Sequence, residues 1–251
     1  MTSTFLLFGG SGKVARHITK ILASEGHTVH SIIRSPDQKP EIEALGGKPI
    51  VQSIEESTVQ DFTKTIKDTK ASIIIWSAGA GGKGGPARIQ AVDCDGAIKS
   101  MDAATQAGVK RYIMVSAFDV RDREGKPEPE WYNDADRARS DKSWGAIGAY
   151  YKAKFAADRN LVTENGKRGL QYTIVRPGGL SEEAATGKIS AGKIHISPTI
   201  PREDVARAVV EVWKNDATIG LAIDMVGGGT PIKDAIAEVA KGKVDTFEGR
   251  Y

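Results

Sequence analysis

The chain has a single cysteine, Cys94, in 251 residues. One thiol cannot close an internal disulfide or build a Cys-rich metal site, so a reducing, cytoplasmic setting is expected. Histidine is nearly as scarce. His17, His27, His30 and His195 show no ligand spacing such as HExxH, and no structural or catalytic metal is expected. No window approaches eighteen consecutive apolar residues, and Met1 leads straight into a short strand-like run without a basic leader. Neither a signal peptide nor a membrane span is therefore expected. An excess of one charge is also lacking. The net charge is +3, with no Lys/Arg block and no basic-aromatic ladder, which argues against a nucleic-acid partner.

What is present is ordinary globular composition, 40% hydrophobic and 27% charged. A chain of this length can bury one substantial core. Strand-like runs stand at 4–8 (TFLLF), 28–33, 48–51, 71–76 (ASIIIW), 111–116 (RYIMVS), 170–175 and 219–225. Helical stretches lie between them at about 12–25, 39–45, 57–67, 86–107, 146–165, 201–214 and 231–240. Several of the runs are apolar on both faces, which suits parallel strands covered on each side. The alternation predicts one α/β domain over 1–251. Its sheet is doubly wound and mostly parallel, of about seven strands with helices on both faces. Two stretches break the rhythm and are expected as substrate-side loops, the polar 117–145 and the Gly/Ser/Ala-rich 178–200. The last ten residues read as a loose tail.

Ligands in such sheets sit beyond the C-terminal ends of the strands, where strand order reverses. The first such end reads "FLLFGGSGKVARHI", with Gly9, Gly12 and Ala15 at a spacing of three. Gly9 permits the sharp turn, Gly12 allows close backbone approach to a pyrophosphate, and Ala15 lets helix pack on strand. The turn residue Ser11 and the first helical residues, Lys13 and Val14, then border the phosphates at a helix N-terminus. Small residues placed only for close packing are the alternative at this point. The second strand ends in "IIRSPDQ", placing Arg34 22 residues past Gly12, followed by Ser35. A guanidinium there suits a 2′-phosphate, favouring NADP(H), while nearby Asp37 keeps NAD(H) as the alternative. After the fourth strand, "WSAGAGGKGGP" (76–86) is rich enough in glycine for its backbone at Ala78, Gly79 and Ala80 to lie against a flat ligand, or to be a surface loop.

These pieces, with "VDCDGAIKSMDAATQAGVKRYIMVS" (92–116), "YYKAKFAADRNL" (150–161), "YTIVRPGGLSEEAATGKI" (172–189), "IPREDVARAVVEV" (200–212) and "DMVGGGTPI" (224–232), resemble the atypical short-chain dehydrogenases/reductases over nearly the whole chain. Nearest are the NmrA-like and flavin/biliverdin-reductase-like groups. The resemblance implies a Rossmann-type fold and places Pro177, Gly178, Gly179 and Leu180 by the nicotinamide end. Where relatives carry an acid after the third strand, this chain reads "VQSIEES", so adenine contact is expected from Ser53 and Ile54.

Reductases of this type use a Ser, a Tyr and a Lys four residues after the Tyr. The matching residues are Ser116, Tyr150 and Lys154. Positions four apart share a helix face, so Tyr150 and Lys154 can reach one ligand, although Tyr151 lies on nearly the same face. The implied roles are proton donor for Tyr150, ribose contact and lowering of the tyrosine pKa for Lys154, and steadying of the substrate oxygen for Ser116. The resulting expectation is an NADP-dependent oxidoreductase acting on a small carbonyl, quinone-like or flavin-like molecule. The alternatives are hydride transfer without a protein acid, a non-catalytic NADP-sensing regulator, and an epimerase or isomerase with bound NAD(P). A monomer or homodimer is expected. Cys94 and the helix start at Arg202-Glu203-Asp204 read as structural. Trp131, Tyr132 and Trp144 read either as a cap on a substrate or as loop anchors.

Overall fold

The computed structural model of the chain describes residues 2–81 and 84–251. In chain order the first half runs β1 (Thr4–Phe8), α1 (Lys13–Ser24), β2 (Thr28–Ile33), α2 (Lys39–Ala44), β3 (Lys48–Val51), α3 (Val59–Thr69) and β4 (Ile73–Trp76). There follow α4 (Gly85–Ile89), a π-helical stretch (Gln90–Gly96), α5 (Ala97–Gln106) and β5 (Arg111–Val115). The second half comprises α6 (Asp134–Thr163), α7 (Asn165–Arg168), β6 (Gln171–Pro177), β7 (Leu180–Ser181), β8 (Lys188–Ala191), β9 (Ile200–Pro201), α8 (Arg202–Lys214), β10 (Ala222–Gly227), β11 (Thr230–Pro231) and α9 (Ile232–Gly242).

The main sheet has nine strands, in the order β11-β8-β10-β6-β5-β4-β1-β2-β3. Seven of them, from β10 to β3, pair in parallel and are the seven strands that the apolar runs predict. The two additional strands, β8 and β11, join antiparallel at one edge. They come from the Gly-rich stretch and from a two-residue bridge, too short to imprint a periodicity. β7 and β9 form a separate small parallel pair.

The parallel strands are buried on both faces because helices cover both. One layer of the core joins Phe5, Leu7, Ile75 and Ile223 to Ile18, Val209 and Ile236 of α1, α8 and α9. The other joins Leu6, Phe8, Ile74 and Trp76 to Phe62, Met101 and Leu161 of α3, α5 and α6. Ala15 is fully buried in the first layer, as close packing of α1 on the sheet requires. The chain passes from β3 at one edge across to β4 beside β1. The reversal of strand order therefore falls between β1 and β4, where a crevice opens above their C-terminal ends.

Three expectations are corrected. Residues 134–145 are the first part of α6 rather than loop. The Asn133 side chain accepts from the Asp136 backbone N–H at 3.0 Å, and Asp136 returns the bond to the Asn133 N–H at 3.0 Å. The helix kinks at Ile147 (φ −132°, ψ 33°), between Gly145 and Gly148. Second, the C-terminal residues pack down, with Phe247 fully buried against the second core layer. Third, the segment 86–107 is interrupted by a π-helical stretch that carries Val92, Asp93 and Cys94 inward. Cys94 packs there as a buried apolar residue, and burial pushes its thiol pKa up.

The loop 117–133 is tied to α6 through Asp119, a buried residue with φ 62°. Its carboxylate accepts from Arg121 Nε at 2.9 Å, Tyr132 Oη at 3.2 Å, Ser140 Oγ at 2.6 Å and Trp144 Nε1 at 3.1 Å. Tyr132 and Trp144 are thus loop anchors, and Trp131 lies under the cations of Lys193 and Arg250.

Candidate active site

β1 and α1 are joined by a turn that only glycine makes cheaply. Gly9 has φ 77°, and a Cβ placed on it would stand 2.5 Å from the Ala78 Cα. The Gly12 N–H closes the turn on the Gly9 carbonyl at 2.8 Å. Gly12 caps α1 without a side-chain acceptor, and no acidic residue stands in the first turn. The N–H groups and dipole of a twelve-residue helix therefore face the crevice unanswered, the arrangement an anion takes up.

The crevice has two connected halves that share Gly12 and the backbone of Ser77 to Gly81. The narrower half, about 310 Å³, is lined by Gly9, Ser11, Arg34, Ser53 and Ile54, beside Gln52 and Arg88. Arg34 is exposed at the end of β2, and among the described residues its guanidinium has neither a hydrogen bond nor an ion pair. Asp37 instead accepts the Ser35 hydroxyl at 3.3 Å. The wider half, about 770 Å³, is lined by Lys13, Val14, Ser116, Tyr150, Lys154, Pro177 and Leu180.

Most residues singled out from the sequence therefore border one crevice, and three do not. Ser35 has its N–H bonded to the Gln38 side chain at 3.1 Å, beginning a helical turn. Gly178 donates to the Met225 carbonyl at 2.8 Å, and a Cβ there would meet Val226 at 2.8 Å. Gly179 accepts from the Ile200 N–H at 2.8 Å. These two glycines join strands; the crevice wall at this point is made by Pro177 and Leu180. Of the Gly-rich run after β4, Gly82 and Lys83 lie outside the described residues. His195 lies away from this crevice and bonds Asp136 through Nδ1 at 2.6 Å.

The two tyrosines of α6 have different surroundings. Tyr150 faces the wide half, with Lys154 Nζ 5.7 Å from its ring centre. Tyr151 stacks on Trp144 at 5.0 Å instead. Lys154 is buried and reaches the Ala78 carbonyl at 3.2 Å, the Val115 carbonyl at 3.4 Å and Asp93 Oδ1 at 3.3 Å. Burial opposes its charge, but the carboxylates of Asp93 and Asp158 more than compensate and raise its pKa. The expected lowering of the Tyr150 pKa is corrected. Burial of the phenol outweighs the pull of Lys154, and the net shift is upward.

Two charged residues of the site had no role in the sequence reading. Asp93 is fully buried, and its Oδ2 accepts the Ala80 N–H at 2.9 Å, so it holds both Lys154 and the Gly-rich run. A side chain at Gly79 would press on it, its Cβ 3.0 Å from Asp93 Oδ1. Asp158, also fully buried, accepts the Ser116 hydroxyl at 2.7 Å. Asp158 stands four residues after Lys154, a spacing visible in the sequence, whereas nothing local marks Asp93. The far wall is apolar. Among the described residues three large apolar side chains are exposed, and two of them, Ile147 and Leu180, line the wide half.

The cradle fits a dinucleotide: a turn at Gly9 too tight for a Cβ, an uncapped helix N-terminus at its centre, and Arg34, whose guanidinium has no partner among the described residues. The comparisons with known proteins agree. The chain is similar to the protein UPF0659 protein C216.03 of Schizosaccharomyces pombe, 42% identical across 96% of this chain and 97% of that one. It is 34% identical to a protein named uncharacterized sugar epimerase YhfK of Bacillus subtilis, across 93% of this chain and 98% of that protein. The crystal structure of the oxidoreductase ylbE from Lactococcus lactis superimposes with a TM-score of 0.77 at 29% identity, covering 95% of this chain and 97% of that one. No helix of the described residues is long and apolar enough to cross a membrane. The family pattern described as NAD(P)H-binding matches residues 9–216, a span that holds the Gly9–Gly12 turn, Arg34, Ser116, Tyr150 and Lys154, and the chain belongs to that family.

Proposed function

We propose that the protein is an NADP-dependent reductase of the short-chain type, acting on a carbonyl, quinone-like or flavin-like small molecule. The observation that carries this reading is the meeting of Ser116, Tyr150 and Lys154 on one wall of the wide half-crevice. When bound, the nicotinamide supplies the hydride.

The chain's own residues then have distinct tasks. The α1 N-terminus and the Gly9–Gly12 turn take the pyrophosphate. Arg34 takes the 2′-phosphate, whose geometry a guanidinium fork matches. Lys154, held by Asp93 and two carbonyls, orients the ribose hydroxyls. Tyr150 is the proton donor. Its raised pKa keeps the phenol protonated across the neutral range, which suits the reducing direction. Ser116 steadies the substrate oxygen. Ile147 and Leu180 meet an apolar body and exclude water from it.

That wall is the reason to prefer a reductase over the sugar epimerase suggested by the name of the Bacillus relative. Sugar hydroxyls need acceptors that face the ligand, whereas the carboxylates beside the wide half are fully buried and hold Lys154 and Ser116. The test is NADPH oxidation, followed optically, against quinones, flavins, dicarbonyls, aldehydes and nucleotide sugars. Oxidation by an apolar acceptor supports the reading. Turnover of a nucleotide sugar alone, or NADPH binding with no turnover of any acceptor, contradicts it.

A further inference from the structure

The Ser116 hydroxyl has one hydrogen, and in this structure it is already given away. Ser116 Oγ lies 2.7 Å from Asp158 Oδ2, both residues are buried, and Asp158 Oδ1 has no partner among the described residues. An ionised carboxylate only accepts. While Asp158 is ionised, Ser116 therefore presents lone pairs to the crevice and cannot donate to a substrate carbonyl. If Asp158 carries a proton, it can donate to Ser116 Oγ, and the serine hydrogen turns toward the crevice.

We propose that Asp158 is a positioning residue whose protonation decides whether Ser116 offers a hydrogen or a lone pair to the substrate oxygen. The inference rests on the reductase reading of the same site. With Asp158 protonated, Ser116 can donate to a carbonyl oxygen, and the carbonyl complex is favoured. With Asp158 ionised, Ser116 can accept from an alcohol, and the alcohol complex is favoured. No proton leaves Ser116 in either case, since Tyr150 supplies or receives the one that is transferred.

The surroundings make both states accessible near neutral pH. Burial pushes the Asp158 carboxyl up to about 6, against the opposing pull of Arg176, the Ser116 hydroxyl and Lys154. The charged and titratable groups packed around it come from three elements. Lys154 and Tyr150 lie on its own helix, and Lys154 is paired with Asp93 of the π-helical stretch. From β6 comes Arg176, whose Nε lies 2.9 Å from Asp224 Oδ1 and whose Nη2 donates to the Val120 carbonyl at 2.7 Å. The cation that most favours ionised Asp158 is thus shared with a second buried carboxyl.

The test is a carbon-13 carboxyl titration of the full-length protein between about pH 4.5 and pH 8, with the Asp158 signal assigned through Asp158→Asn. The expected midpoint is near 6. Ser116→Ala, which removes the bond that favours the ionised form, should move it up by about one unit. A midpoint below about 5, or one that Ser116→Ala leaves in place, overturns the proposal. This readout needs no substrate, so it stands apart from the reductase reading, whose failure would show as absent NADPH oxidation in every variant. With an acceptor in hand, wild-type reduction should fall above the same midpoint. In Asp158→Asn, whose amide donates permanently to Ser116, that limb should vanish. A merely structural Asp158 would lower the rate at all pH values and leave the limb in place. If Asp158→Asn fails to fold, Asp158→Glu supplies the assignment and keeps the titration decisive.

Discussion

Replacing Arg34 by alanine should separate the two nicotinamide cofactors. The guanidinium sits at the end of β2, lines the narrow half of the crevice, and among the described residues has no hydrogen bond or ion pair to lose. Its removal should therefore cost the fold little. A charge-assisted hydrogen bond to a phosphate contributes about 1.5–3 kcal/mol, which is about 10- to 150-fold in affinity. Because Arg34 is exposed, solvent and salt screen the contact, and the lower part of that range applies, about 10- to 30-fold. NADPH affinity should fall by that factor, and NADH affinity, with no 2′-phosphate to lose, should change by less than about twofold. Fluorescence titration of both cofactors at low and moderate salt measures this directly. The wild-type preference for NADPH should shrink as salt rises, and the variant should show almost no salt dependence of the difference. Equal weakening of NADPH and NADH would refute the assignment and move the 2′-phosphate contact elsewhere.

The two glycines of the first turn should fail in different ways. Gly9→Ala combines a left-handed φ with a 2.5 Å contact to the Ala78 backbone, and should cost about 2–5 kcal/mol in a denaturant titration. Gly12→Ala has an ordinary φ and a nearest contact of 3.1 Å to the Gly9 carbonyl, so it should stay folded and lose cofactor binding. A Gly9→Ala variant as stable as wild type would undo the argument from the turn. Asp119→Ala removes four hydrogen bonds and leaves Arg121 buried without its partner, a loss of about 3–5 kcal/mol and of about 10 °C in thermal unfolding. A change of less than about 1 kcal/mol would mean that the 117–133 loop is held by other contacts.

What the sequence revealed depended on how locally each feature is encoded. The seven parallel strands were legible because β1, β4, β5 and their neighbours are apolar on both faces, and the first turn because Gly9 and Gly12 are required by local geometry. Arg34, Tyr150 and Lys154 could be singled out by spacing from those landmarks, and all three line the crevice. The first half of α6 was missed because "DADRARSDKSW" has no apolar stripe. It is held by the Asn133–Asp136 cap and by Ser140 and Trp144 on Asp119, a contact across twenty residues and more. Asp93 was missed for a related reason: a carboxylate in a π-helical turn gives no periodic signal, and its meaning comes from Lys154, 61 residues later. Gly178 and Gly179 are bonded to neighbouring strands, and a glycine pair beside a crevice reads the same in sequence whether it cradles a ligand or lets two strands meet.

We propose above all that Tyr150 supplies the proton in a reduction whose cofactor the Gly9–Gly12 turn holds. It is tested most directly by NADPH oxidation in single turnover, wild type beside Tyr150→Phe, with NADPH affinity measured on both. The rate should be about 10²- to 10⁴-fold lower in the variant, with NADPH affinity within about twofold. A rate retained in Tyr150→Phe would contradict it and leave hydride transfer to a conjugated acceptor without a protein acid.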